Sequence, residues 1–268
     1  MNIYEKRTIL PTKSTIIKME LLNLLINYKG RAMKSMFDTL LELPLFQGIS
    51  TKSLTKILEK AKLHFERRTA GETIVRSGSR CDGLVFILHG EVEKTTVGMG
   101  ESAYEVTEYL DAPYLLEPAS VFGLTTTYRS TYIASTDVDT MSVSKVTIAD
   151  VLLKNEVFRL NYLNTICRRM QGLEDTIWES PLPTSTSIVC HSILNHFETL
   201  TGRKSLFIDI SDLASKGNIL RINAKQALKE LEKNGLLQIK GRSIEIPDAS
   251  LLVAYSHSIV EGGLDEMS

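Results

Sequence analysis

Residues 72–98, ETIVRSGSRCDGLVFILHGEVEKTTVG, decide the fold. Three β-rich runs, each too short for a helix, are punctuated by Gly78, Gly83 and Gly90, so they read as strands joined by turns. The pattern starts at Leu63 and continues through YEVTEYL (104–110) and STYIASTDVDTMSVS (130–144). Short strands at regular spacing predict a closed antiparallel barrel or a jelly roll. Gly71, Gly78, Gly83, Gly90 and Gly98 fall between the runs, where a turn needs positive φ, and none of them requires a ligand to explain it.

With 268 residues, 43% of them hydrophobic and 24% charged, and with 16 Gly and 7 Pro, the chain has the composition of an ordinary globular protein of one or two domains, two being favoured. Disorder, collagen and fibrous coiled coil are excluded. Cys81, Cys167 and Cys190 are too few and too dispersed for a disulfide framework, and without a CxxC pair no structural zinc or cluster site is expected. A reducing cytoplasm is the expected location. The first 35 residues carry an apolar stretch, Ile16 to Ile26, interrupted by Lys18, Glu20 and Asn23, which is too short and too polar to span a bilayer. A membrane-surface helix, a docking helix and a loose extension all fit it. Met36 opens a run, MFDTLLELPLFQGIS, that reads as a natural domain start, so residues 1–35 are kept outside the fold as an N-terminal extension.

Between Asn155 and Glu179 the period becomes helical. Leu163, Ile166, Met170, Leu173 and Ile177 recur at steps of 3 and 4, an a/d seam that fits either a partner helix or the chain's own domain. Pro181 and Pro183 end this helix and provide a hinge.

A net charge of −1 says nothing about nucleic acid, but its distribution does. From Gly202 to Arg242 nine basic residues face four acidic ones. Within that block ISDLASKGNILRINAKQALKELEKNGLLQIKGRSIEIP sets a short apolar helix, a turn at Gly217 and a second helix with Ala224, Leu228 and Leu231 inward. Its other face carries Arg221, Asn223, Lys225, Gln226 and Lys229. A solvated amphipathic helix would look the same. A major-groove reader would too, since Arg reads guanine, Asn or Gln reads adenine and Lys neutralises phosphate. Leu237–Ile239 and Ser243–Ile246, joined through Lys240, Gly241 and Arg242, predict a hairpin wing with a basic tip.

The stretch from Leu43 to Glu93 resembles the opening of the effector domain of CRP/FNR-type bacterial transcription regulators, and the resemblance extends from about Met36 to about Pro247. Its most specific part is an ordered series: Ala70-Gly71-Glu72, then Gly78, then LVFILHGEV ending at Val92. The resemblance implies an α+β fold: an N-terminal double-stranded β-helix (jelly roll) over 36–150, a long dimerisation helix over 151–180, and a C-terminal winged helix-turn-helix over 181–268. It implies a homodimer that binds a double-stranded DNA operator, with RNA polymerase and an unidentified small-molecule effector as further partners, and with no membrane. Residue by residue, the base-reading positions fall on Arg221 and Gln226. The acidic reader of cyclic-AMP-binding members falls on Ile222, which cannot accept from cytosine.

Family members that bind a cyclic nucleotide carry GEL and then RSA. The matching places here are Leu116-Glu117-Pro118 and Arg129-Ser130-Thr131, so Glu117, Arg129 and Ser130 stand as a pocket remnant, with Glu for a ribose hydroxyl and Arg for the phosphate charge. The glycine is lost and Pro118 removes an amide donor. The adenine-contacting pair falls on Leu173 and Glu174, neither suited to it. Cyclic AMP is therefore not expected as the effector, and no cofactor, metal or catalytic residue is expected either. Three alternatives remain open: a cyclic-nucleotide-responsive regulator, a partner-binding scaffold with a degenerate DNA domain, and a jelly-roll (cupin-like) enzyme, which would need several histidines converging inside the barrel, where only His64 and His89 are available.

Overall fold

The computed structural model describes residues 36–98, 104–178 and 184–265, side chains excepted at 36–37, 172–178 and 259–265. The extension 1–35 and the hinge prolines Pro181 and Pro183 lie outside them.

Helices α1 (Met36–Glu42) and α2 (Thr51–Leu58) lead into the strands; Ser50 caps α2 by accepting from the Ser53 amide. Strands β1 (Leu63–Arg68), β3 (Gly83–His89), β6 (Tyr114–Leu116) and β8 (Val138–Ser144) form one sheet in the order β1-β8-β3-β6. Facing it are β2 (Thr73–Val75), β4 (Glu91–Gly98), β5 (Tyr104–Asp111) and β7 (Ser130–Ala134) in the order β5-β4-β7-β2. Alternation turns Leu84 and Phe86 of β3, Val92 of β4, Tyr132 and Ala134 of β7, and Met141 and Val143 of β8 inward, and these fill the space between the sheets. Gly71, Gly78 and Gly90 take φ of +87°, +78° and +91° at turns. Gly83 and Gly98 correct the expectation: both lie on strands without positive φ, and a Cβ on Gly83 would stand 2.0 Å from the Val143 carbonyl oxygen, so this glycine permits close strand approach instead.

Helix α3 (Lys145–Asp150) and then α4 (Glu156–Trp178) follow. Phe158, Tyr162 and Ile166 of α4 pack on the barrel core, where Phe158 meets Phe46 edge-on at 5.2 Å. Tyr162 Oη donates to the Pro118 carbonyl at 2.7 Å, and Asn161 Nδ2 donates to the Leu45 and Gln47 carbonyls at 3.2 and 2.8 Å. The start of α4 is thereby clamped to the barrel.

A second core follows. It is built from α5 (Ser185–Leu194), β9 (Lys204–Phe207), α6 (Ile210–Lys216), α7 (Arg221–Lys233), β10 (Gln238–Lys240), β11 (Ser243–Ile246) and α8 (Ala249–Asp265). A reciprocal Thr184–Ser187 capping box starts α5, and Asp209 caps α6 by accepting from the Ser211 amide at 2.8 Å.

The two cores share one sheet. β9 pairs antiparallel with β5, Val106 opposite Leu206 and Glu108 opposite Lys204, so the second sheet runs without a break as β10-β11-β9-β5-β4-β7-β2. Val106 belongs to the second core although β5 is a barrel strand. No helix among the described residues is long and apolar enough to cross a membrane.

Candidate nucleic-acid interface and barrel pocket

The turn between α6 and α7 is set by Gly217 and Asn218. A Cβ on Gly217 would come 2.6 Å from Ile188 Cγ2, so glycine lets α6 end against α5, while Asn218 supplies the positive φ of 50°. Burial of Ala224, Ala227, Leu228 and Leu231 fixes the rotation of α7. Arg221, Ile222, Lys225, Gln226 and Lys229 are thereby exposed along its outer face, with Asn223 half-buried beside them.

The acidic residues of α7 are exposed as well, but their carboxylates are engaged within the protein. Glu230 accepts from Thr186 Oγ1 at 2.7 Å and from Tyr255 Oη at 3.3 Å; Glu232 accepts from the Ile239 amide at 3.0 Å. Arg221, Lys225, Lys229 and Lys233 outnumber these two engaged carboxylates, so the helix surface is net cationic.

The basic block itself divides. Lys204 is buried at 1% exposure, Arg203 lies 3.7 Å over the Tyr109 ring, and Lys216 Nζ donates to His196 Nε2 at 2.8 Å and lies over Tyr104. These three serve the junction with the barrel. At the wing tip, where Gly241 has φ +65°, Lys240 Nζ pairs with Glu245 Oε2 at 2.7 Å, and Arg242 lies between Asp209, 3.9 Å away, and the Phe207 ring. Both remain exposed.

In the barrel, Glu117, Arg129 and Ser130 come together, but not as the resemblance implies. Glu117 is 8% exposed, has φ +29°, and turns its carboxylate onto the chain itself: Oε2 accepts from the Arg129 amide at 2.8 Å and Oε1 from the Ser130 amide at 2.9 Å. The Arg129 side chain is exposed. Ser130 Oγ exchanges its hydrogen bond with Thr96 Oγ1 at 2.7 Å. His64 is exposed on β1, and no group of three or more His, Cys, Asp or Glu able to hold a metal occurs among the described residues.

On α4, Leu163 and Met170 are 51% and 56% exposed. Leu160, which the heptad reading missed, is 50% exposed one turn before them, and Cys167 is exposed between them. Ile166 is half-buried against the barrel core, which places it on the adjoining face, and the side chains of Leu173 and Ile177 lie outside the described residues.

At the junction Glu108 is the hub. It takes Lys94 Nζ at 2.8 Å, Lys204 Nζ at 3.2 Å and the Glu198 and Thr199 amides at 3.1 Å each. Glu198 in turn binds Lys94 and, at 2.7 Å, Arg169 of α4. Burial works against the Glu108 charge, yet the two lysines hold its carboxyl below the ordinary range. Burial alone would push Lys94 down, but Glu198 and Glu108 raise it well above the ordinary lysine value. Lys204, buried and sharing Glu108 with Lys94, is held below it.

No protein-family model matches the chain. A stretch of 99 residues, 37% of the chain, is 32% identical to potassium channel KOR1 of rice (Oryza sativa subsp. japonica), and the match covers 10% of that curated relative. Among solved structures the chain is similar to the Thermus thermophilus catabolite activator protein, at 16% identity over 81% of this chain and 99% of that one, TM-score 0.44. It is similar to DNR from Pseudomonas aeruginosa at 17% identity over 84% and 100%, TM-score 0.40. A third is a transcriptional regulator of the CRP/FNR family from Eubacterium rectale, at 17% over 80% and 98%, TM-score 0.43.

Proposed function

We propose that this chain is a CRP/FNR-type transcription regulator that binds a specific double-stranded DNA operator as a homodimer. Its parts are an effector-type jelly roll over 36–150, a dimerisation helix over 151–180 and a winged helix-turn-helix over 181–268. The reading rests on one observation above the others. Helix α7 presents Arg221, Lys225, Gln226 and Lys229 outward while Glu230 and Glu232 are bonded back into the protein. An exposed face with that donor set is complementary to guanine and adenine edges and to phosphate.

In this arrangement Arg221, Asn223 and Gln226 read bases, Lys225 and Lys229 neutralise phosphate, and Lys240 and Arg242 of the wing hold the flanking backbone. The Lys240–Glu245 pair lowers the wing's charge, so its share of phosphate contact falls mainly to Arg242. A second copy is seated along the exposed Leu160, Leu163 and Met170 stripe of α4. RNA polymerase is a partner by family resemblance alone, and the effector is a molecule other than cyclic AMP.

The test is selection of duplex fragments by the purified protein, followed by affinity measurement on the enriched sequence. Arg221→Ala is expected to cost about 1–3 kcal/mol on that sequence and to relax preference at one position per half-site, whereas Arg242→Ala weakens all duplexes alike and flattens the salt dependence. If no duplex is enriched, or Arg221→Ala leaves affinity and preference unchanged, the reading fails.

A further inference from the structure

Two carboxylates are deeply buried in the barrel, and they are stabilised differently. Glu108 takes two lysines. Glu117 takes no cation among the described residues: its oxygens receive the successive amides of Arg129 and Ser130, the Ser120 hydroxyl at 3.2 Å and, at the edge of hydrogen-bond range, Tyr132 Oη at 3.5 Å. Consecutive N–H groups gripping the two oxygens of one carboxylate, supplemented by hydroxyl donors and largely shut off from water, are the elements of an anion site. We propose that the Arg129–Ser130 amides form a cradle for a single carboxylate, and that the carboxylate it holds is the chain's own Glu117.

The backbone around Glu117 is consistent with a side chain installed as a fixed ligand. Leu116 is fully buried in β6 and paired with Val85, and the Pro118 carbonyl accepts from Tyr162 Oη of α4. Between these anchors Glu117 occupies the left-handed region at φ +29°, ψ +59°, where a residue with a Cβ is disfavoured. The bidentate grip of the two amides offsets that strain. An oxyanion arriving from solution needs the same two N–H groups and competes with a carboxylate of the same chain that the fold already holds against them, whose effective concentration it cannot match. The cradle is therefore closed to soluble anions, and Glu117 ties the Glu117–Ser120 turn to β7 without any ligand. The regulatory consequence, that DNA binding does not wait for a soluble anion at this place, rests on the DNA-binding reading; the cradle itself does not.

Thermal unfolding of the full chain tests it. Glu117→Ala empties the carboxylate's volume and leaves two amides unpaired, so its midpoint is expected to fall and then to recover saturably with added formate or acetate, ionic strength being matched with chloride. Wild type is expected to show no shift beyond the chloride control with formate, acetate, inorganic phosphate or cyclic AMP. Glu117→Gln fills the volume but turns an NH2 toward one of the two donors; it is expected to be destabilised and not rescued. The proposal is overturned if Glu117→Ala gains nothing over chloride, or if phosphate or cyclic AMP raises the wild-type midpoint saturably. Should Glu117→Ala not fold, amide hydrogen exchange decides: the Arg129 and Ser130 amides exchange faster in Glu117→Gln than in wild type, and equal protection overturns the proposal. Failure to bind any duplex would sink the regulator reading and leave these outcomes unaffected.

Discussion

Ile222 is 62% exposed and Leu220 69% exposed at the entry to α7. Folding gains nothing from these side chains, and the packing face of the helix is complete without them. In a major groove the apolar feature an isoleucine meets is the thymine methyl group. Uracil in place of thymine in the selected duplex should therefore weaken wild-type binding, by roughly 0.8 kcal/mol or about fourfold for one buried methyl. Ile222→Ala should be indifferent to the exchange. Unchanged uracil sensitivity in Ile222→Ala would remove the residue from the readout. The outer face of α7 was legible in the sequence because the buried positions recur at 3 and 4 and fix the rotation of everything else. Glu117 was legible as a position but not in its role, because its partners are backbone amides, which leave no trace in the pattern of side chains.

Helix α4 shows the same limit one level up. It carries two apolar stripes: Phe158, Tyr162 and Ile166 at steps of 4 against the barrel, and Leu160, Leu163, Cys167 and Met170 at steps of 3 and 4 left exposed. A heptad template laid on the sequence draws Ile166 from the first stripe into the second, since periodicity does not say which apolar residue meets which neighbour. The two stripes make different demands on a charge. Met170→Glu lies on the exposed stripe, so the protomer's own unfolding should change within about 0.5 kcal/mol, while sedimentation shifts from dimer to monomer and duplex binding weakens with it. Ile166→Glu should instead destabilise the protomer. A Met170→Glu protein that sediments as a dimer would place the partner elsewhere.

In the whole molecule the barrel and the α7 unit are joined by β5 and β9, and this junction was the least legible part of the chain. Lys94 and Glu108 are charges inside separate strand runs and Lys204 counts toward the basic block from Gly202 to Arg242, yet register places them side by side across β4, β5 and β9. Only the pairing of strands about a hundred residues apart, 94 and 108 with 204, buries them together. Glu108 is the carboxylate paired with Lys204 and shares Lys94 with Glu198, so removing its charge leaves the buried Lys204 ammonium without an anion and Lys94 with Glu198 alone: Glu108→Gln should cost about 3–5 kcal/mol, and Lys204→Met, which leaves the Lys94 pair intact, much less.

Acid should weaken the same junction in two steps. His196 donates from Nδ1 to the Ser192 carbonyl and accepts from Lys216 Nζ at Nε2; burial, then the nearby Lys216 charge, holds its pKa below the ordinary histidine value, with Asp212 and the Tyr104 ring the other groups facing this pair. A histidine lowered in the folded state lets the unfolded chain take the proton first, so stability falls as pH drops through the ordinary histidine value of about 6.5 and levels off below the folded one. Glu108, also lowered, keeps its contribution until pH passes below the ordinary carboxylate value of about 4.3, and that contribution is lost as pH falls through the folded pKa. Unfolding followed against pH should therefore show one decline beginning near neutrality that His196→Gln removes, and a second in the carboxylate range that Glu108→Gln reduces, Asp209 and Asp248, also lowered, contributing the rest. A His196→Gln profile that still declines above pH 5 like wild type would shift the first step to another group and leave Lys216 as a mere lid over Tyr104.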